Sequence, residues 1–266
     1  MDGNPFASPT VTLMTDFGLA EPYVGVMKGV ILNLAPNASL VDLSHAIPPQ
    51  DVRRAAFLLS TAVDYFPAGT VHVVVVDPGV GGERRPIAVQ TDRAYFVAPD
   101  NGVLTLALTH QRTEIIIHLT NSDYWLPEVS ATFHGRDIFA PIAAHLALGV
   151  PINDLGTPVE DIVRLPATAP ARQPDGSIQG QIQHIDRFGN CITNVPSNML
   201  PADARVVVAL AGQSIRGISP TYSAVESGAE LSLIGSSGFL EIAVRAGNAA
   251  ERLGVQVGDA VLIERM

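Results

Sequence analysis

TVHVVVVDPGVGGERR, residues 70–85, is the stretch that decides the fold. Its near-continuous valine is typical of a strand that is covered on both faces, as in the sheets of α/β proteins. Asp77 follows this strand directly, and ligands of such sheets usually lie beyond the carboxyl ends of the strands. The glycine-rich turn allows Arg84 to fold back toward Asp77. The two residues then form either a functional pair or a salt bridge at an exposed hairpin tip. Such an exposed salt bridge would contribute little to the stability of the fold.

Strand and helix patterns alternate on both sides of this stretch. Before it, the spacing of apolar residues predicts strand, helix, strand and helix at residues 11–18, 24–36, 38–44 and 51–66, with Asp51 near the N-cap of the second helix. After it, the patterns predict three strands and an amphipathic helix, at residues 86–91, 94–99, 113–119 and 137–149. This alternation predicts an α/β N-terminal domain with a central, largely buried sheet over residues 1–165.

The pattern changes in the last third of the chain. Proline and small polar residues without apolar periodicity predict an interdomain linker over residues 166–176. Short alternating strands between glycine turns follow, and residues 204–218 are predicted to form a hairpin. Residues 177–266 are therefore predicted to form a small all-β, barrel-like C-terminal domain.

The composition argues against several classes of protein. A net charge of −10 argues against a nucleic-acid binder, which needs a basic surface to displace counterions from phosphates. The single cysteine, Cys191, excludes an internal disulfide framework, and His and Cys do not have zinc-ligand spacing, so we predict no metal and no cofactor. The N-terminus lacks a signal-peptide pattern, and no apolar run approaches the roughly 20 residues of a membrane span. We expect a protein without membrane partners, in the reducing cytoplasm.

Several polar residues are candidates for a functional site. Asp16 ends one predicted strand and Asp77 another, so the two carboxylates are predicted to share one edge of the sheet. His134 lies in a loop just before a predicted helix, as a local hydrogen-bonding residue or as a catalytic one. Asp186 and Asn190 surround a glycine turn, together with Phe188, and either stack on and bond a ring or form an Asx turn between strands. Their spacing leaves both interpretations open.

Five motifs also occur in the order of one known family: TDFG, VDPGVG followed by RR, PDNG, FHGRDIF and IDRFGN. On these motifs, which span almost the whole chain, the protein resembles the S-adenosyl-L-methionine hydroxide adenosyltransferases, adenosine-forming hydrolases related to fluorinases and chlorinases. The resemblance implies homotrimers with active sites at subunit interfaces, and an Asp-Arg-His triad at Asp77, Arg84 and His134. Val80 and Gly135 stand where the halogenating relatives have halide-assisting hydroxyls, which favours hydroxide transfer over halogenation.

The resemblance also implies which residues bind the nucleoside. Asp16 is expected on the two ribose hydroxyls, which suits a carboxylate because it only accepts hydrogen bonds. Asn190 is expected on the adenine edge, together with the backbone near Ala246. Phe188 and Tyr222 are expected to pack on the adenine ring.

The methionine part of the substrate has its own expected residues. Asp186 is implied on the methionine ammonium, with Ser236 and Ser237 near the carboxylate. Ser237 stands where the fluorinases have an arginine, so the carboxylate contact departs from theirs. Glu241 is a second candidate for the ammonium, or a strand residue that faces solvent.

Two alternatives to S-adenosyl-L-methionine hydrolysis remain open on the sequence. The first is a sensor that binds adenosine or S-adenosyl-L-methionine without reaction, which the binding residues alone would satisfy. The second is a halide-transferring enzyme. A sensor has no evident use for Asp77, Arg84 and His134, because these residues have no obvious role in holding a ligand.

Overall fold

The computed structural model describes residues 8–109, 111–166 and 168–266. The chain divides into two compact units, unit 1 ending at Leu165 and unit 2 beginning at Pro166. Residues 1–7, part of the N-terminus predicted to carry no targeting signal, lie outside the described residues. Both units are rich in sheet, and in unit 1 the sheet is combined with helices, as the sequence patterns predict.

Among the described residues, unit 1 contains a seven-stranded mixed sheet. Its strands are β1 (Thr10–Thr15), β2 (Ser39–Ser44), β3 (Val71–Val75), β4 (Pro86–Thr91), β5 (Tyr95–Pro99), β6 (Thr113–His118) and β7 (Thr157–Pro158). The order across the sheet is β2-β1-β3-β5-β4-β6-β7. The pairs among the first four strands of this order are parallel, and the later pairs are antiparallel.

The valine-rich strand β3 lies inside this sheet, between β1 and β5. Its valines alternate between two apolar cores, with Val73 and Val75 in one and Val74 and the following Val76 in the other. Both faces of the strand are therefore covered, which explains why the sequence lacks polar alternation there. Strand β4 pairs with β5 and β6 rather than with β3, so the hairpin-tip interpretation of residues 77–85 is wrong.

The α-helices in the described part of unit 1 are α1 (Tyr23–Leu34), α2 (Val52–Ser60) and α3 (Ala140–Ala147), with a π-helical turn at Gly135–Phe139 directly before α3. Asp51 caps α2 as predicted, because its Oδ1 accepts a hydrogen bond from the Arg54 backbone N–H at 2.9 Å. The predicted amphipathic helix at residues 137–149 differs from α3 in two ways. The helical segment begins earlier, at the π turn, and α3 is buried on almost every side because its small alanines pack between α1 and the sheet.

Unit 2 is an antiparallel β structure. In the part of the chain that is described, its strands are β8 (Ala171–Arg172), β9 (Ile178–Ile185), β10 (Cys191–Pro196), β11 (Val206–Leu210), β12 (Gln213–Arg216), β13 (Glu230–Ile234), β14 (Phe239–Val244) and β15 (Ala260–Arg265). The order is β12-β11-β15-β9-β10-β14-β13, and the two end strands contact each other, so the sheet is nearly closed. A short helix, α4 (Ala249–Leu253), follows β14. Strand β8 lies in the expected linker and pairs with β9, so part of that segment belongs to the sheet.

Candidate active site

The two candidate carboxylates of unit 1 follow neighbouring strands. Strands β1 and β3 run parallel, with Thr15 opposite Val75 in the register. Asp16 and Asp77 therefore leave the sheet at the same edge, as their positions in the sequence predict. This edge is where ligand sites form in sheets with parallel strands.

Asp77, Arg84 and His134 are joined by hydrogen bonds. The Arg84 Nε–H donates to both carboxylate oxygens of Asp77, at 3.0 and 2.9 Å, and Nη2 donates to Oδ2 as well. The same Nη2 lies 2.8 Å from Nδ1 of His134. The Asp77 and Arg84 side chains are only 5% and 9% exposed, so they do not form a solvent-exposed surface pair.

The contact with Arg84 determines the protonation of His134. A guanidinium only donates hydrogen bonds, so Nδ1 must accept, and the imidazole is neutral with its proton on Nε2. Burial lowers the pKa of His134 below its ordinary value of 6.5, and the Arg84 charge lowers it further, against the opposing charges of Asp77 and Asp137. Near neutral pH, His134 therefore presents an N–H donor at Nε2.

Close backbone packing holds the loop between Asp77 and Arg84. Gly81 has a φ of +74°, and a Cβ on it would lie 2.2 Å from the carbonyl oxygen of Ala131. A side chain at this position is therefore excluded both by the left-handed backbone and by space. Because Ala131 is close to His134 in the chain, this approach brings the loop against the segment that carries the imidazole.

An aromatic cluster, Phe17, Tyr23 and Phe133, joins the Asp16 turn to the His134 loop. Each pair of rings is arranged edge to face, with centroids 5.3 to 5.9 Å apart. Phe17 follows Asp16 and Phe133 precedes His134, so the cluster fixes the two loops relative to each other. The aromatic residues of TDFG and FHGRDIF were visible in the sequence, but nothing in their spacing indicated that they touch.

Asp16 is half-buried and held from one side. Its Oδ2 accepts a hydrogen bond from the backbone N–H of Gln50 at 2.8 Å, and Gln50 has a φ of +67°. The residue before it, Thr15, has its hydroxyl 2.9 Å from Nδ1 of His45 and accepts from the Phe17 N–H at 3.2 Å. The turn that carries Asp16 is thus fixed by contacts from residues 45–50.

In unit 2, Asp186 organises the turn that carries Phe188 and Asn190. Its Oδ1 accepts from the backbone N–H groups of Phe188 and Asn190, at 2.8 and 2.9 Å, and its Oδ2 accepts from Asn190 Nδ2 at 2.9 Å. The geometry is that of an Asx turn, one of the two interpretations left open by the sequence. The same turn leaves Phe188 75% exposed, so the residue remains available to a ligand.

A second turn packs against this one. The carbonyl of Gly189 accepts from the Ala250 N–H at 3.0 Å, and a Cβ on Gly189 would lie 1.9 Å from Oδ1 of Asn248. Ala246 lies just before, exposed and with a φ of +56°. The structure therefore places residues 186–190 beside residues 246–250.

Glu241 is buried, at 6% exposure, so its interpretation as a strand residue facing solvent is wrong. The Tyr222 hydroxyl donates to its Oε1. Burial raises the pKa of Glu241, and the nearby charge of Asp186 raises it as well, whereas the bond from Tyr222 lowers it. Ser236 and Ser237 lie in the turn between β13 and β14, and a Cβ on the preceding Gly235 would lie 2.6 Å from Glu241 Oε2.

Two further properties bear on the chemistry. Across residues 8–109, 111–166 and 168–266, no group of three or more His, Cys, Asp or Glu side chains is arranged to hold a metal ion. None of the helices in the described part of the chain is long and apolar enough to cross a membrane.

The largely buried Asp77–Arg84 pair and the half-buried His134, joined by hydrogen bonds at the end of a sheet strand, are the kind of groups with which an enzyme holds a small polar reactant. The sequence comparisons are more specific. Residues 11–156 match the N-terminal domain of the SAM hydroxide adenosyltransferases, and residues 180–262 match the C-terminal domain. The chain belongs to the SAM hydroxide adenosyltransferase family.

Individual relatives agree with this assignment. The chain is 43% identical over 258 residues to an (R)-S-adenosyl-L-methionine hydrolase of Thermus thermophilus, covering 93% of this chain and 96% of the relative. It is 40% identical to an (R)-S-adenosyl-L-methionine hydrolase of Salinispora arenicola, covering 97% and 98%. Its structure is similar to that of an uncharacterized conserved protein from Thermotoga maritima, with a TM-score of 0.90 and 37% identity, covering 96% of this chain and all of the other.

Proposed function

We propose that this protein hydrolyses S-adenosyl-L-methionine to adenosine and L-methionine. The observation that carries the proposal is the hydrogen-bonded contact of Asp77, Arg84 and His134 in a chain of this family. Relatives at 40% identity or more carry the name (R)-S-adenosyl-L-methionine hydrolase, and they match this chain over nearly its full length.

The reaction is a direct displacement. Water oxygen forms a bond to C5' of the ribose, the bond between C5' and the sulfonium sulfur breaks, and a water proton is released. Because the sulfur takes the bonding electrons and loses its positive charge, methionine leaves as a neutral thioether and needs neither a general acid nor a metal. The protein must supply an oriented water, and orientation alone recovers up to about 7–11 kcal/mol of barrier in intramolecular reactions.

We assign the orientation of water to the three residues of unit 1. The Asp77 carboxylate accepts a hydrogen bond from the attacking water and stabilises the positive charge that develops on its oxygen. Arg84 holds this carboxylate through its Nε and Nη2 donors. His134, neutral and protonated at Nε2, donates a hydrogen bond to the same water and does not act as the base.

The remaining site residues are proposed to bind the substrate. Asp16 binds the ribose hydroxyls, and its position at the same edge of the sheet as Asp77 supports this role. Asn190 and the backbone near Ala246 bond the adenine edge, which the contact between their two turns supports. Phe188 and Tyr222 present exposed ring surface for the adenine.

The methionine part is assigned to acidic and hydroxyl side chains of unit 2. Asp186 and Glu241 are the candidates for its ammonium. Burial raises the pKa of Glu241, and the nearby Asp186 charge adds to this rise. A cationic ligand would relieve this repulsion. Ser236 and Ser237, in the turn next to Glu241, are the candidates for its carboxylate.

A product assay tests the proposed function. Purified protein is incubated with S-adenosyl-L-methionine, with and without chloride or fluoride, and the nucleoside products are separated by chromatography. We expect adenosine and methionine in equal amounts. Tight binding of the substrate without adenosine above the protein-free control would indicate a sensor, and 5'-halogenated adenosine as the main product would indicate a halide-transferring enzyme.

The proposal extends to assembly, compartment and domains. We propose a cytoplasmic homotrimer with active sites at its subunit interfaces, as the family resemblance implies, and domains that correspond to residues 1–165 and 177–266 with a connection between them. The measurement is the mass in solution by light scattering. A mass near that of one 28.1 kDa chain under assay conditions would exclude the trimer.

A further inference from the structure

Asn101 contacts the chain at the point where β3 ends. Its Nδ2 donates to the carbonyl oxygen of Val76 at 2.8 Å, and its Oδ1 accepts from the Val103 backbone N–H at 3.1 Å. Val76 is the residue directly before Asp77, one position beyond the last residue of β3. A side-chain amide therefore holds the backbone that carries the Asp77 carboxylate.

Asp100 contacts the other end of the same loop. Its Oδ2 accepts from Nε and Nη2 of Arg85, at 2.8 and 2.6 Å, and its backbone N–H donates to the Arg85 carbonyl at 2.9 Å. Its Oδ1 accepts from the Val163 N–H at 2.7 Å, and the side chain is 2% exposed. Arg85 directly follows Arg84, so the backbone that carries the Arg84 guanidinium is also held.

The loop that carries the catalytic pair is thus fixed at both ends by two consecutive residues. Both residues follow β5, the parallel neighbour of β3, so the contacts that hold the loop come from the next strand of the same sheet. Rearranging either residue is costly. The buried Asp100 carboxylate accepts from three backbone or guanidinium donors, and both the N–H and the oxygen of the Asn101 amide are paired.

We propose that Asp100 and Asn101 are positioning residues that hold the ends of the 77–84 loop so that Asp77 and Arg84 meet in the geometry the hydrolysis requires. They act through Val76 and Arg85. The inference rests on the proposed function. Because a misplacement of about 1 Å can lower a rate about 100-fold, releasing either end of the loop reduces turnover.

The Asn101→Ala variant tests this inference, and Asn121→Ala is its matched control. Asn121 also donates from Nδ2 to a backbone carbonyl, that of Asp154, at 2.8 Å, and accepts from the N–H two residues later at 3.2 Å. We expect Asn101→Ala to lower kcat about 10- to 100-fold while KM changes less than about 3-fold. Asn121→Ala should keep kcat near the wild-type value although it loses the same two bonds.

The second end of the loop has its own pair of variants. Asp100→Asn removes the charge that holds Arg85, whereas Asp161→Asn removes only the exposed partner of the same arginine, 3.1 Å away and 83% exposed. We expect kcat to fall about 10-fold in Asp100→Asn and to stay unchanged in Asp161→Asn. Melting temperatures, measured for all four variants, confirm that each is folded in the assay.

A pH series of Asn101→Asp separates positioning from general weakening of the fold. The carboxylate cannot donate to Val76, but the protonated acid supplies one O–H donor. As the pH falls from 7.5 to about 5, it approaches the ordinary pKa of a carboxyl group, and the protonated fraction of the new side chain grows. The kcat of this variant relative to wild type should therefore rise several-fold over this range. A ratio that does not change with pH, or Asn101→Ala and Asn121→Ala with equal kcat, would overturn the inference. Wild-type protein that forms no adenosine would instead overturn the proposed function on which it rests.

Discussion

The proposed catalytic residues of unit 1 and the proposed binding residues of unit 2 are built in opposite ways. The side chains of Asp77 and Arg84 are 5% and 9% exposed and bonded to each other, whereas Phe188 and Tyr222 are 75% and 42% exposed. Groups that orient water work best when they are fixed before the substrate arrives. Ring surfaces that recognise a base gain binding energy because the ligand buries them. The difference therefore separates residues that should affect turnover from residues that should affect binding.

The largest effect is expected from Asp77→Ala. Loss of the carboxylate removes the group proposed to hold the attacking water. Groups that act on a reacting proton typically contribute a factor of about 10² to 10⁴ to the rate. We expect kcat to fall by this factor, while the Kd of S-adenosyl-L-methionine, measured by calorimetry, changes only a few-fold. Near-normal turnover in this variant would reject the proposed triad.

Asp77→Ala also leaves Arg84 without its buried partner, and breaking such a pair costs about 3–5 kcal/mol of stability. Asp77→Asn is therefore the companion variant, because it retains the shape and one acceptor for Arg84. Both variants should lose kcat by this factor, and Asp77→Asn should melt at the higher temperature. If activity followed melting temperature across the two, the loss would reflect unfolding.

A smaller effect is expected from Gly81→Ala, with Gly212→Ala as its counterpart in unit 2. Both glycines have positive φ, +74° and +76°, so alanine costs each roughly 1–2 kcal/mol of backbone strain. A Cβ on Gly81 would also lie 2.2 Å from the Ala131 carbonyl, whereas a Cβ on Gly212 meets nothing within 4 Å. We expect kcat to fall about 10-fold or more in Gly81→Ala only, because the 77–84 loop must shift.

Equal kcat values for these two variants would show that the catalytic loop tolerates displacement. The melting temperatures provide the control, since both variants share the backbone strain. The catalytic residues of unit 1 and the binding residues of unit 2 would then differ in how exposed their side chains are, but not in how firmly they are held.

Local sequence patterns predict part of this structure. The valine run of β3 and the Asp51 cap follow from nearest neighbours in the chain, and both are present. The positions of Asp16 and Asp77 at one sheet edge follow from adjacent parallel strands. The pairing of β4 with β5 and β6 does not follow, because strand order depends on contacts between distant segments.

The same limit applies to side chains. Glu241 is in an apolar strand, and its burial beside Tyr222 depends on the turn that crosses it. The contact of Asn101 with Val76 joins residues 25 positions apart, and the sequence offered only the PDNG motif as a signal for it. Buried polar contacts between distant residues have no periodicity, so pattern analysis does not find them.

The third prediction concerns the exposed side of the comparison. Stacking of a base on an aromatic ring is worth about 1–3 kcal/mol, so Phe188→Ala should raise KM about 10-fold. Turnover at saturation and the melting temperature should change little, because Phe188 is 75% exposed. Tyr65→Ala is the control, since Tyr65 is 82% exposed in unit 1 outside the proposed site. A fall in kcat with unchanged KM would remove Phe188 from the binding group.

The smallest effect is expected from pH, and it tests the buried side of the comparison. The pKa of His134 lies below 6.5 because burial and the Arg84 charge disfavour the imidazolium, against the pull of Asp77 and Asp137. His134 is therefore mostly neutral at pH 6.5 and above, so kcat/KM should keep more than half of its value at pH 6.5. At lower pH, protonation places a proton on Nδ1, breaks the bond from Arg84, and lowers both kcat/KM and stability.

In His134→Asn, the decline that belongs to this group should disappear, with melting temperatures at each pH as the check on folding. A kcat/KM that is already halved at pH 6.5 would mean a pKa that is not depressed, and Arg84 would then not hold a neutral imidazole.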